Sequence, residues 1–216
     1  MLLALDTSTE YAGVALYGEE GVLASTVWRS VRMHTVQLLP TVDALLTRAG
    51  LSPADLTGIA VALGPGSFTG VRVGLATAKG LSASLGLPLV GVSTLEYTAQ
   101  PQRHRGLPVY ACARLGRGRT AVGRYTECGS AAQTEEWVRN LTDADFGELG
   151  AGVYCGELSD AVREVLNDVA GAVVVPAVEG ARNPAVLACL GWERLTRGEA
   201  DPAAALQAVY LGSVNQ

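Results

Sequence analysis

Short apolar runs alternate with longer segments of helical period along the first half of the chain, and each run length selects its element. Leu2 to Leu5 is a continuous apolar run that reads as a buried strand, followed by Gly13 to Tyr17 and Gly21 to Trp28 as two more. Tyr17-Gly18-Glu19-Glu20-Gly21 between them suits a hairpin. The spacing of Leu38, Leu39, Val42, Leu45, Leu46 and Ala49 predicts a helix from His34, stopped by Gly50 with Pro53 beyond. A strand at Ile59 to Leu63 then leads through Gly64-Pro65-Gly66 into a helix from Phe68 to about Gly86, and Pro88 to Val92 forms the next strand. Ser93-Thr94-Leu95-Glu96 has capping-box spacing for a further helix. This order predicts an α/β fold, a mixed sheet with helices packed on it.

The polar segment Gln100-Pro101-Gln102-Arg103-His104-Arg105-Gly106 breaks the pattern and marks a boundary between a first lobe, residues 1–100, and a smaller second lobe, residues 101–216, with a tail free to pack back on the first. Pro108 to Ala113 and Thr120 to Tyr125 read as strands joined by Gly116-Arg117-Gly118. Gly152 to Cys155 and Val173 to Val175 read as short strands separated by a helix near Ser159 to Asn167. Asn183-Pro184 opens a helix to about Arg197, and Pro202 to Val214 carries no assignable period.

The helix from Phe68 is unusual, because only Arg72 and Lys79 are charged along it. Val71, Leu75, Leu81 and Leu85 fall on one arc, as a core-facing stripe requires. The opposite arc, Thr69, Gly70, Val73, Gly74, Ala76, Thr77, Gly80 and Ser84, is small where a solvated face would be polar. Glycine in a helix costs about 1 kcal/mol relative to alanine, so these glycines serve close approach by another backbone. Two occupants fit: a docked polypeptide, or a second helix of the same chain.

At 216 residues with 49% hydrophobic content, the chain is long enough to bury a sizeable core without staples. The formal net charge is −5, and Lys79 is the only lysine among sixteen basic residues. An acidic chain is a poor autonomous binder of nucleic acid, whose affinity comes mostly from phosphate neutralisation. The basic segment Arg103, Arg105, Arg114, Arg117, Arg119 and Arg124 reads first as solvated surface, with RNA contact a secondary reading. No apolar run reaches membrane-spanning length, and Asp6 comes too early for a signal peptide, so the expectation is a soluble, cytoplasmic protein without membrane contact.

Cys112, Cys128, Cys155 and Cys189 show no C-x-x-C spacing, and His34 and His104 lie too far apart to share a helix, so no metal site is expected. Ser67, His34 and Asp6 make a triad only on paper, without a G-x-S-x-G elbow, and no catalytic residue is assigned. Asp6-Thr7-Ser8-Thr9 places a carboxylate and three hydroxyls at a strand end, where such a turn either faces phosphate and metal in actin-like nucleotide-binding folds or caps itself. Gly66 and Ser67 at a helix start bind an anion, or Ser67 is simply the N-cap.

Asp6-Thr7-Ser8 after an apolar strand, His34 with Leu38-Leu39-Pro40, and Gly64-Pro65-Gly66-Ser67-Phe68-Thr69-Gly70-Val71-Arg72-Val73-Gly74 followed by Lys79-Gly80-Leu81 resemble the bacterial TsaB (YeaZ) family over residues 1–98. The resemblance implies an actin-like, sugar-kinase-like fold of two ribonuclease-H-like halves. It implies a non-catalytic accessory subunit for threonylcarbamoyladenosine formation in ANN-decoding tRNAs, working with the catalytic, metal-holding paralogue TsaD and the ATPase TsaE. Docking on TsaD, or homodimerisation by the same surface, would then involve His34, Leu38, Leu39, Thr69, Gly70, Val73, Gly74, Ala76, Thr77, Gly80 and Ser84. Asp6, Thr7, Ser8, Gly66 and Ser67 would face a nucleotide, if one binds, with no cofactor held tightly, ATP at a partner junction, and tRNA met only through the complex. The second half departs from the pattern: Cys112-Ala113-Arg114 stands in place of Asp-Ala-Arg, and Val209-Tyr210-Leu211-Gly212 in place of Tyr-Leu-Arg. The competing reading is an enzyme of the same superfamily, an actin-like ATPase or a metallopeptidase-like protein.

Overall fold

The computed structural model describes residues 1–31, 33–128 and 131–211, with backbone alone at 127–128 and 131–134. In chain order the strands are β1 (Leu2–Asp6), β2 (Tyr11–Gly18), β3 (Gly21–Arg29), β4 (Gly58–Ala62), β5 (Leu89–Val92), β6 (Val109–Gly116), β7 (Arg119–Cys128), β8 (Ala131–Thr142), β9 (Gly152–Gly156) and β10 (Ala172–Val174). The helices are α1 (His34–Arg48), α2 (Phe68–Leu85), α3 (Thr94–Ala99), α4 (Asp160–Asn167), α5 (Ala177–Gly180) and α6 (Pro184–Thr196). Two compact units result, the first built from Met1–Ser93 and Asn183–Val209, the second from Thr94–Arg182 and the residues from Tyr210.

The first unit holds a sheet in the order β3-β2-β1-β4-β5, with β1, β2 and β3 antiparallel and β1, β4 and β5 parallel. Strand β1 is buried throughout and apolar from Leu2 to Leu5, because both its faces are covered. Leu3 and Leu5 join Leu38, Val42, Leu45, Leu46 and Leu75 in the core under α1 and α2. Leu2, on the opposite pleat, lies toward α6, where a β-carbon at Gly191 would meet the Ala60 β-carbon at 2.4 Å. Helix α6, which sequence order had put in the second lobe, therefore packs on the first unit's sheet.

The second unit repeats the arrangement: β10-β9-β6-β7-β8, with β6, β7 and β8 antiparallel and β6, β9 and β10 parallel. Counted from the first strand of each unit, the order is the same in both, which is the ribonuclease-H-like duplication. Val109, Ala111, Ala113, Ala121, Tyr125 and Val153 pack with Leu95 on one face. Tyr110, Cys112, Val122, Phe146, Tyr154, Val162 and Leu166 form the core of the other, where the Tyr110 and Tyr154 rings stack with centroids 4.6 Å apart. Strand β8 was not anticipated from the sequence. It lies at the sheet edge, and its Glu135, Glu136, Arg139 and Asn140 leave no apolar run to mark it.

The tail beyond α6 is a strap rather than a regular element. Asp201 bridges Leu89 at the edge of β5, and its carboxylate accepts from the Gly91 amide at 2.9 Å while Arg194 donates to the Gly91 carbonyl at 2.6 Å. The Lys79 ammonium donates to the Leu206 carbonyl at 2.7 Å, and the Val209 amide to the Leu63 carbonyl at 2.7 Å. Leu206 is buried against Gly91 and Leu63 and belongs to the first unit's core. Leu206→Ala should therefore lower the unfolding free energy by about 2–5 kcal/mol, measured by denaturant titration, despite its place in a segment of no sequence period.

Candidate functional site

The turn that leaves β1 is tied to the start of α2. Asp6 Oδ1 accepts from the Ser8 amide at 2.8 Å and from the Ser8 hydroxyl at 2.6 Å, which closes the turn on itself. The Ser67 amide donates to the Ser8 carbonyl at 2.6 Å, and the Thr7 hydroxyl donates to the Gly70 carbonyl at 2.7 Å. Ser67 is the N-cap of α2 and accepts from the Gly70 amide. Thus Asp6, Thr7 and Ser8 are buried, and hydrogen bonds with the α2 start engage Thr7, Ser8 and Ser67.

Glycine spacing makes this contact feasible. A β-carbon at Gly66 would lie 2.1 Å from the Ser8 carbonyl oxygen, one at Gly70 2.0 Å from the Thr7 carbonyl oxygen, and one at Gly74 2.5 Å from the Thr7 hydroxyl. Gly70 and Gly74, four apart, share one face of α2, and with Gly66 just before the N-cap they form a glycine groove in which the β1 turn nests. Gly70 and Gly74, expected on an outward docking arc, are therefore buried inside the unit. The occupant of the groove is the chain's own strand end.

The rest of the small arc does face outward. Thr69, Ala76, Gly80 and Ser84 are exposed, Val73 and Thr77 half-buried, and a β-carbon at Gly80 would meet nothing within 4 Å. On α1, Leu39 is 50% exposed, whereas Leu38 is fully buried in the core because it lies on the sheet-facing arc with Val42 and Leu45. Val36 and Phe68, at 58% and 55% exposure, are large apolar groups on α1 and α2 that the sequence reading passed over. Helical spacing puts Phe68 on the arc of Val71 and Leu75, and its place as the first residue of α2 leaves it exposed, so the sequence carried no signal that separates it from the core positions. A hollow of about 400 Å³ between β3 and α1 is lined by Trp28, Val36, Gln37, Pro40 and Thr41 among others. The Gln37 carboxamide oxygen there accepts from Trp28 Nε1 at 3.1 Å and from the Ser30 hydroxyl at 2.7 Å.

His34 is buried at the start of α1, and its Nδ1 has no hydrogen-bond partner in the structure. Burial lowers its pKa below the ordinary histidine value, opposed by the Asp6 carboxylate. Cys112 and Cys155 are buried in the second unit, where burial raises both thiols, Cys155 to about 12. Neither is a nucleophile at neutral pH. The side chain of Cys128, and Gly212, lie outside the described residues. Among the described residues no three His, Cys, Asp or Glu side chains converge on a metal-sized site. In the basic segment, Arg105 pairs with Glu179 and Arg124 with Glu136.

A family model described as "TsaD: tRNA N6-adenosine threonylcarbamoyltransferase" matches residues 21–146. The tRNA threonylcarbamoyladenosine biosynthesis protein TsaB of Bacillus subtilis is 34% identical over 206 residues, covering 89% of this chain and 87% of its own. The tRNA N6-adenosine threonylcarbamoyltransferase of Anaeromyxobacter dehalogenans is 48% identical over 65 residues, 30% of this chain and 20% of its own. The solved structure of YeaZ from Pseudomonas aeruginosa superposes with a TM-score of 0.77 at 28% identity, covering 97% of this chain and 99% of that one.

Two substitutions separate the inward glycines from the outward one. Gly70→Ala should destabilise by about 1–3 kcal/mol or more, because the obstructing atom is backbone. Gly80→Ala should stabilise by about 0.4–1 kcal/mol, and denaturant midpoints would read both. Acidification gives a second check. As pH falls through the ordinary histidine range near 6.5 the unfolded chain takes up a proton at His34 that the folded chain refuses until lower pH. Stability should fall over that window, and His34→Gln should flatten the dependence in unfolding titrations at stepped pH.

Proposed function

The chain belongs to the TsaB family of tRNA threonylcarbamoyladenosine biosynthesis proteins, and we propose that it serves as a non-catalytic subunit docking on the catalytic paralogue TsaD through the outward faces of α1 and α2. The observation that carries this reading is the exposed α2 surface of Phe68, Thr69, Ala76, Gly80 and Ser84, small or apolar with Arg72 as its one charge where a solvated helix would carry several. Leu39 and Val36 extend the same character onto α1. The match to a TsaD family model fits a pair of subunits that share a fold, and so can meet through related surfaces.

A scaffold role is supported by the chemistry at hand. The two buried thiols are held protonated, the described residues bring together no metal-ligating trio, and the β1 turn spends its hydroxyls on hydrogen bonds within the chain. Nucleotide, on this reading, is bound only at the junction with a partner. TsaE joins the complex in turn, tRNA is met through the complex, and the isolated chain pairs with itself by the surface that TsaD would cover. The complex works in the cytoplasm. Consistent with that, no helix among the described residues is long and apolar enough to cross a membrane.

Ala76→Arg and Gly80→Arg place a bulky charge on the outward arc without touching the core. Each should weaken association with TsaD, and formation of the modified nucleoside in a reconstituted reaction, by at least about tenfold. Unchanged association by both variants, with the fold intact by circular dichroism, would refute the assigned face. ATP turnover by the isolated chain that Asp6→Ala abolishes would instead favour an actin-like ATPase.

A further inference from the structure

We infer that the outer edge of β3 takes up an extended polypeptide segment running antiparallel to it, which sets an apolar side chain into the hollow beside α1 and a carboxylate two residues later against Arg48. The inference goes beyond the docking on TsaD and does not depend on it.

Edge strands are guarded in folded proteins, because a row of outward amides and carbonyls is a template for another strand. Strand β5 is bridged by Asp201 of the strap, β10 has only three residues, and β8 carries Glu135, Glu136 and Arg139. Strand β3, the remaining edge, is nine residues long, has no proline or lysine, and reaches its only charge at Arg29. Its one irregularity, opposite Leu16 and Tyr17, lies near its start, so Ala24 to Arg29 keep a regular register with β2. The hydrogen bond from the Ser30 amide to the Glu10 carbonyl sets the phase. Trp28, Thr26 and Ala24 turn their backbone groups to β2, whereas Ser25, Val27 and Arg29 turn theirs outward, where no described strand pairs with them.

What lies beside that edge defines the occupant. On a strand paired with β3, the residues opposite Thr26 and Trp28 stand at non-hydrogen-bonded positions, where side chains approach most closely, on the face of the sheet that α1 covers. There the hollow of about 400 Å³ opens, between Thr26 and Trp28 on β3 and Gln37, Pro40, Ala44 and Arg48 on α1. The Trp28 indole is held by Gln37, so this wall is formed before anything binds. Helix α1 runs back along β3: His34 at its start is within electrostatic reach of Asp6, which is level with Val27, and Thr57 beyond its end bonds to Met1 at the start of β1. Arg48 therefore lies at the Ala24 end of the hollow. A segment antiparallel to β3 runs toward Arg48, and the side chain two residues past the apolar one returns to the same face, level with Ala24. Arg48 is exposed, is the one charged residue lining the hollow, and has no ion-pair or hydrogen-bond partner among the described residues. Asp43, though on α1, does not line it. A second copy pairing edge to edge would bring a strand with no acid, because β3 has none.

The test titrates the full chain with a capped peptide, Ser-Thr-Leu-Thr-Glu-Thr-Ser, and follows backbone amide resonances by NMR. Saturable shifts should centre on Ser25, Val27 and Arg29. Replacing the peptide's leucine by serine should weaken binding about tenfold or more, and replacing its glutamate by glutamine about two- to fivefold. In the Arg48→Gln protein the glutamate replacement should have no effect. Val27→Pro removes a donor that faces away from β2, so circular dichroism should show the fold kept while binding is lost. Arg48→Gln, on an exposed side chain, keeps the test decisive if Val27→Pro fails to fold. Absence of shifts at about 1 mM peptide, or binding that neither protein variant alters, would overturn the inference. So would sedimentation that finds a dimer of the chain alone which Val27→Pro dissolves, since the edge would then belong to a second copy. Docking on TsaD is read separately through Ala76→Arg, so the two readings fail independently.

Discussion

The contact on which the first unit turns is the nesting of the β1 exit, Thr7 and Ser8, in the groove of Gly66, Gly70 and Gly74. A strand end and a helix backbone approach until the Thr7 hydroxyl reaches the Gly70 carbonyl and the Ser8 carbonyl reaches the Ser67 amide. Side chains larger than hydrogen at those three positions would overlap backbone or hydroxyl oxygen. The helix bears the propensity cost of its glycines because the hydrogen bonds gained are buried ones, and leaving them unmade would be costlier. Helix α2 is thereby fixed along one side, and its other side faces outward.

That division of α2 into two faces reconciles two readings of one motif. The glycines were open to an intermolecular or an intramolecular explanation, and the intramolecular one accounts for Gly70 and Gly74, while the docking proposed above draws on other residues. Gly70 and Gly74 are consumed within the chain, whereas Thr69, Ala76, Gly80 and Ser84 are left bare. Helical spacing alone does not separate them, since Gly70, Val73, Gly74 and Thr77 lie within a continuous stripe. The separation comes from the position of β1, which is a long-range fact.

The two units share a strand order while differing in what occupies the end of their first strand. In the first unit it is the hydroxyl-rich turn described above. In the second, Gly156 approaches the Cys112 carbonyl, with 2.2 Å to a β-carbon placed there, and Glu157 accepts from the Arg114 amide at 3.0 Å. The same architecture therefore carries an acid-and-hydroxyl turn in one half and a thiol and an ion pair in the other, where Arg182 donates to Glu157 at 3.1 Å. Duplicated topology constrains backbone paths, and the chemistry at the strand ends is free to diverge.

Local pattern sufficed for the elements whose residues are periodic and buried: β1, β2, β4, β5, α1, α2, α4 and α6 were legible because burial on one or two faces writes itself as run length or helical spacing, and the edge strand β3, with no buried residue, was legible from the hairpin turn that precedes it. The motif at residues 64–74 was enough to suggest the family, because few backbones need glycines at those positions. Strand β8 and the strap beyond α6 were not legible. An edge strand buries too little to impose alternation, and the strap is held by contacts such as Lys79 to Leu206 and Val209 to Leu63 that join residues more than a hundred positions apart. For the same reason only the tertiary structure could assign α6 to the first unit's sheet, place Leu38 and His34 inside, and leave Leu39, Val36 and Phe68 outside. A sequence encodes what each residue can tolerate nearby, and the folded chain determines which neighbour arrives.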